Sequence, residues 1–148
     1  RFLQAVFPEA VFVLVVRHPV AVVEATSKWR RTATRTSLVH HWAAAHRLML
    51  ADLPYLRRVQ LVRYEEFVAD PDRRLAQIFA LVGLDPVPAG EPVRTGINER
   101  YFAGWEARAR WPHGRLDRAV AVRRHEADAR RLGYSLRDPR ATIRDVEA

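Results

Sequence analysis

Residues Val11-Phe12-Val13-Leu14-Val15-Val16 form an unbroken, largely β-branched apolar run that ends at Arg17-His18-Pro19. A strand with one wet face alternates apolar and polar residues. Continuity instead predicts a strand covered on both faces, as in the middle of a parallel sheet. Parallel strands cannot be joined by a hairpin and need a crossover, usually helical. Pro19 suits the first position of such a helix, and Val20 to Trp29 reads as that helix, with Val22 and Val23 towards the sheet. This one run therefore points to an α/β chain.

The rest of the sequence extends the pattern. Arg30 to Ser37 is polar and breaks the helix, and Ser37 is a suitable cap for the next one. Leu38, Trp42, Ala45, Met49 and Leu53 recur at helical spacing and predict a buried stripe, closed by Pro54. Val59-Gln60-Leu61-Val62 reads as a second strand. Asp70 as N-cap, Pro71 as first helical residue, the face Leu75, Ile78, Phe79 and Val82, and the stop at Gly83 predict a helix with both ends marked. Asp85 to Pro92 reads as a loop, Arg94 to Pro112 as a mixed segment, and Leu116 to Leu132 as a last helix stopped by Gly133, with a fraying tail after Leu136. Two strands make a poor sheet. Together with a start at Arg1 rather than Met, this leads to the expectation of a fragment whose sheet is incomplete on the N-terminal side.

Composition excludes several classes. The 148 residues suffice for one domain with a core. There is no Cys, so disulfide scaffolds and thiolate metal sites are out, and a reducing, cytoplasmic setting is the expectation. The longest apolar run, Ala10 to Val16, is far short of a membrane span. The net charge is +8, and Lys28 is the only lysine among the 25 basic residues. An Arg excess suits an anionic partner, although genome bias towards Arg is the favoured account of most of that count. His40, His41 and His46 lie close in sequence, but His41 and His46 are five apart and no carboxylate joins them before Asp52. No metal site is expected. His18 reads as a turn-filling residue.

The chemistry gathers at Arg17. It ends a buried strand, where open α/β sheets bind ligands, and a helix N-terminus that favours anions follows. Thr26 and Ser27 lie further along that helix. This segment resembles the 3′-phosphate-binding section of sulfotransferases that use 3′-phosphoadenosine 5′-phosphosulfate (PAPS), in which an apolar strand leads to Arg-x-Pro and a helix bearing a Ser eight residues after the Arg. Arg17 and Pro19 match. The Ser position is Ala25 here, with Thr26 and Ser27 next in line. Leu61-Val62-Arg63-Tyr64-Glu65-Glu66-Phe67, then Asp70-Pro71 and Val82-Gly83-Leu84, resembles a second section of the same family.

The resemblance covers roughly residues 7 to 85. It implies that Arg17 binds the 3′-phosphate with help from Thr26 or Ser27, and that Tyr64 contacts adenine. Arg94-Thr95-Gly96 echoes the family's late Arg-Lys-Gly segment, with either Arg94 at the 3′-phosphate or Thr95 at adenine. Arg100 and Arg108 are further candidates without a motif. Plainer roles stand beside these: Arg17 pairing with Glu24, the hydroxyls bonded to their own helix, and Tyr64 as a half-buried aromatic at the sheet end. Tyr101, Phe102 and Trp105 read as packing residues.

The implied fold is a P-loop-NTPase-like parallel sheet flanked by helices, with residues 1–148 the C-terminal part of one sulfotransferase-like domain. The implied reaction moves a sulfuryl group from PAPS to a hydroxyl or amine of a small-molecule or glycan acceptor and releases PAP (3′-phosphoadenosine 5′-phosphate), without a metal, nucleic acid or membrane. No Gly-rich, Lys-containing phosphate loop is present in the sequence, so no catalytic residue is assigned and the chain alone is expected to be inactive. The competing reading is a non-catalytic basic module, with bases or sugars stacked on Tyr101, Trp105 and Trp111 between arginines.

Overall fold

The computed structural model describes residues 1–30 and 32–141. They fall into two compact units, residues 1–17 with 49–95 and residues 18–48 with 96–141. The architecture is α/β.

In the first unit, β1 (Val11–Val16) and β2 (Arg58–Arg63) pair in parallel, in register from Val11 opposite Arg58 to Val16 opposite Arg63. A short helix, α1 (Phe2–Val6), precedes β1. Its buried Gln4 donates to the Phe7 and Pro8 carbonyls and accepts from the Arg57 N–H. One amide thus ties together the segments entering both strands. A 3₁₀ turn (Leu53–Tyr55) leads into β2, and α4 (Tyr64–Ala69) leaves it.

The helix α5 (Pro71–Val82) has the ends read from the sequence. Asp70 Oδ1 accepts from the Arg73 N–H at 3.2 Å. At the other end Gly83 is left-handed at φ +76°, and the Gly83 and Leu84 N–H groups return to the Ala80 and Phe79 carbonyls.

The second unit holds α2 (Pro19–Thr26), α3 (Arg35–Asp52) through Leu48, α6 (Ile97–Arg108) and α7 (Pro112–Arg130). His18 fills the turn before α2: its Nδ1 accepts from the Val20 N–H at 3.1 Å, and its ring lies edge-on to Phe102 and Tyr134. Tyr101, Phe102 and Trp105 of α6 are buried, as packing residues should be. Gly133 ends the final helical segment with the same left-handed geometry as Gly83.

Several expectations are corrected. The apolar run is not covered on both faces: Val15 is 62% exposed although its register partner Val62 is 2% exposed. Here α5 lies against β2, where Gln77 meets Gln60 and the Leu81 carbonyl meets Arg58. The exposure on the β1 side of that face is concentrated at Val15. The helix after Pro19 ends at Thr26, and Lys28 sits in the turn beyond it, where the Lys28 and Trp29 N–H groups reach back three residues instead of four.

Thr34, not Ser37, caps α3, its Oγ1 accepting from the Ser37 N–H at 3.1 Å. The buried face of α3 is Val39, Trp42 and Ala43. Apolar residues sit on neighbouring stripes of this helix, so periodicity alone could not fix which stripe turns inward. The mixed segment contains α6, and the last helix begins at Pro112, four residues before the expected start. The tail does not fray at once: Arg140 pairs with Glu99 and Glu106, and Pro139 is buried. Arg31 and residues 142–148 lie outside the described residues.

The segment after α7 is held by one carboxylate. Glu126 accepts from Ser135 Oγ (2.8 Å), the Leu136 N–H (2.8 Å), the Arg137 N–H (3.1 Å) and Arg130 Nε (3.2 Å). Burial raises the cost of its charge, but these four donors outweigh it and hold its pKa below the usual carboxylate range. A carboxyl whose folded pKa is depressed stabilises the fold above its unfolded value and loses that contribution as pH falls through the folded one. Glu126→Gln is therefore expected to lower Tm at pH 7. The gap to the parent chain should shrink as pH is taken well below 4.5, the ordinary value for the group. Thermal melts of both proteins across that range check it, and a gap independent of pH would contradict it.

Candidate functional site

The parallel register decides what meets at the carboxyl ends of the strands. Val16 stands opposite Arg63, so the next residues, Arg17 and Tyr64, leave the sheet side by side. The Arg17 guanidinium lies over the Tyr64 ring, 4.4 Å from its centroid. Cation–π contact holds the planar cation in one orientation, and both residues are half-buried. Tyr64 is the first residue of α4. That helix start is fastened by Glu66, which accepts from Arg63 at 3.2 Å and from Arg74 of α5 at 2.5 Å. The Tyr-Glu-Glu segment is thus a helical turn clamped to β2 and α5, with its tyrosine presented to the arginine at the end of β1.

Chemically, this corner offers a fixed guanidinium with donors for a phosphate or carboxylate and an aromatic ring beside it. Sequence reasoning selected both residues separately. Their contact was derivable only from a one-to-one register, which the sequence alone does not specify.

The other assigned residues lie elsewhere. Arg94 and Thr95 are exposed in the first unit, in the loop before α6. Thr26 and Ser27 belong to the second unit. The Ser27 hydroxyl donates to the Glu24 carbonyl at 3.0 Å within its own helical segment, and Thr26 lines a small apolar cavity of about 210 Å³ with Val23, Trp42 and His46. Arg100 rests over Tyr101. Arg108 is engaged by Glu24, a buried carboxylate that also holds Arg35 Nε at 2.8 Å. This triad escaped the sequence reading because Arg108 and Glu24 are 84 positions apart, and no local pattern links them.

Tyr101 and Trp105, two of the three stacking aromatics of the competing basic module, are buried at 8% and 2% exposure, so that reading loses most of its platform. Among the described residues no group of His, Asp or Glu is arranged to hold a metal ion, and no helix is long and apolar enough to cross a membrane.

No curated protein and no solved structure matches the chain. The profile of the sulfotransferase family, however, matches residues 1–88, the stretch that carries both strands, Arg17, Tyr64 and the doubly capped α5. With more than half of its length matched, and with the matched part supplying the guanidinium and ring at the strand ends, the chain belongs to the sulfotransferase family.

Proposed function

We propose that this chain supplies the nucleotide clamp of a sulfotransferase that takes PAPS as sulfuryl donor and a small-molecule or glycan hydroxyl or amine as acceptor. The observation that carries the reading is the contact between Arg17 and Tyr64 at the carboxyl ends of two parallel strands, where sheets of this class bind ligands. Arg17 pairs with the 3′-phosphate. Because the guanidinium covers one face of the Tyr64 ring, adenine meets the tyrosine from another side. The resemblance suggests Thr26 or Ser27 as a helper hydroxyl, and Ser27 already donates its hydroxyl hydrogen to a carbonyl. Arg94 or Thr95 contributes from the later loop.

In the transfer, the acceptor hydroxyl or amine gives its proton to a base not assigned among these residues, and its oxygen or nitrogen attacks sulfur in line. The bond between sulfur and the bridging phosphate oxygen breaks, and its electron pair leaves with PAP. Charge that develops on the bridging oxygen needs donors aimed at it. Those donors belong to a Gly-rich, Lys-containing loop that is not encoded in these residues. In this reading the two strands are part of a larger P-loop-NTPase-like parallel sheet, and residues 1–148 form part of one domain. The chain alone binds nucleotide but does not turn over.

Titration calorimetry with PAP and with AMP, which lacks only the 3′-phosphate, tests the clamp. A charge-assisted hydrogen bond contributes about 1.5–3 kcal/mol, so PAP is expected to bind roughly 10- to 150-fold more tightly. Equal affinities, or no binding of PAP, would refute the reading.

A further inference from the structure

The second unit contains a cavity of about 660 Å³, within the ~300–1,000 Å³ common for small-molecule sites. It lies among the N-terminal turn of α3, the C-terminal turns of α6 and the first half of α7. Nothing in the nucleotide clamp uses it. Its apolar lining includes Trp105, Trp111 and Leu116. Trp111 is 73% exposed and Leu116 is 66% exposed. Two such side chains left bare beside a concave surface are what an apolar ligand would cover.

The polar lining has a sign. Arg35, Arg108 and Arg118 line the cavity and Asp117 is the single acid among its lining residues. Asp117 is already occupied, accepting from the Thr36 N–H and hydroxyl. Glu24 takes one Arg35 N–H and two Arg108 donors, and a guanidinium has five N–H groups. Cationic donors therefore remain, although one Arg118 N–H is taken by the Arg137 carbonyl.

We infer that this cavity is a binding site for a planar aromatic molecule bearing an anionic oxygen group, of the aryl sulfate or aryl carboxylate class, separate from the nucleotide clamp. The ring system lies against the Trp111 indole and Leu116. The anionic oxygens take the donors of Arg108 and Arg118. The inference does not depend on PAPS being the donor.

The test is calorimetric titration of the chain with 2-naphthyl sulfate, with 2-naphthol as the uncharged comparison. Saturable 1:1 binding is expected, at least tenfold tighter for the sulfate. Trp111→Ala removes an exposed side chain, so the fold should persist by circular dichroism while naphthyl sulfate binding falls at least tenfold. Arg118→Gln is expected to weaken the sulfate severalfold and leave naphthol unchanged. PAP should not displace the probe, and Trp111→Ala should leave PAP affinity unaltered. Absent or unsaturable binding, affinity indifferent to both substitutions, equal affinity for naphthol, or displacement by PAP would each overturn the assignment.

Discussion

Arg17→Ala is expected to abolish most of the preference for PAP over AMP while leaving AMP affinity nearly unchanged. The guanidinium comes off the end of β1 and is held over the Tyr64 ring, so its orientation is set before any ligand arrives. A preorganised cation forms its phosphate hydrogen bonds with little further loss of side-chain freedom. Removing it should cost roughly 10- to 150-fold in PAP affinity, the equivalent of about 1.5–3 kcal/mol. AMP has no 3′-phosphate and loses nothing at that position. Tyr64→Leu separates the ring's two roles. It should weaken AMP through the lost base contact and should also reduce the PAP-to-AMP ratio, because Arg17 is no longer held. If Arg17→Ala weakens both nucleotides equally, or lowers Tm without changing the ratio, then Arg17 is a structural residue and the clamp assignment is wrong.

What the sequence disclosed, and what it withheld, follows from the range of the interactions. The run Val11–Val16 and the frame Asp70-Pro71 to Gly83 are local signals: side-chain periodicity, a capping carboxylate and a left-handed glycine act over a few residues, and the structure has them where they were read. Arg17 was recognisable because it ends a strand, and Tyr64 through the family resemblance of its segment. Their contact depends on a register between segments 47 residues apart, which belongs to the folded sheet. The face of α3 was misjudged for a related reason. Leu38 and Val39 are both apolar, and only packing decides which is buried. The start of α7 was misplaced because Pro112 ends one kind of segment as readily as it opens a helix. Least legible of all was the burial of Glu24, because its two partners are set by helix packing in three dimensions.

That carboxylate yields the largest expected effect on stability. Glu24 is 4% exposed on α2 and holds Arg35 on α3 and Arg108 on α6, so one side chain ties three helices of the second unit together. Glu24→Gln keeps the shape and removes the charge. The amide retains one acceptor oxygen, but its NH₂ now faces a guanidinium, donor against donor. Losing one partner of a buried ionic cluster typically costs about 3–5 kcal/mol. Here Arg35 and Arg108 are 26% and 45% exposed and regain water when released, which puts the expectation at the low end, about 3 kcal/mol. For a chain of this size that corresponds to a fall in Tm of roughly 6–12 °C. Arg35→Ala alone should cost clearly less, because Arg108 still compensates the buried carboxylate, and adding it to Glu24→Gln should cost almost nothing more. Thermal and urea melts of the two single variants and the double variant give the coupling directly. A Glu24→Gln protein that melts with the parent chain would mean that the cluster behaves as a solvent-screened surface bridge, and that apolar packing alone holds α2 against α6.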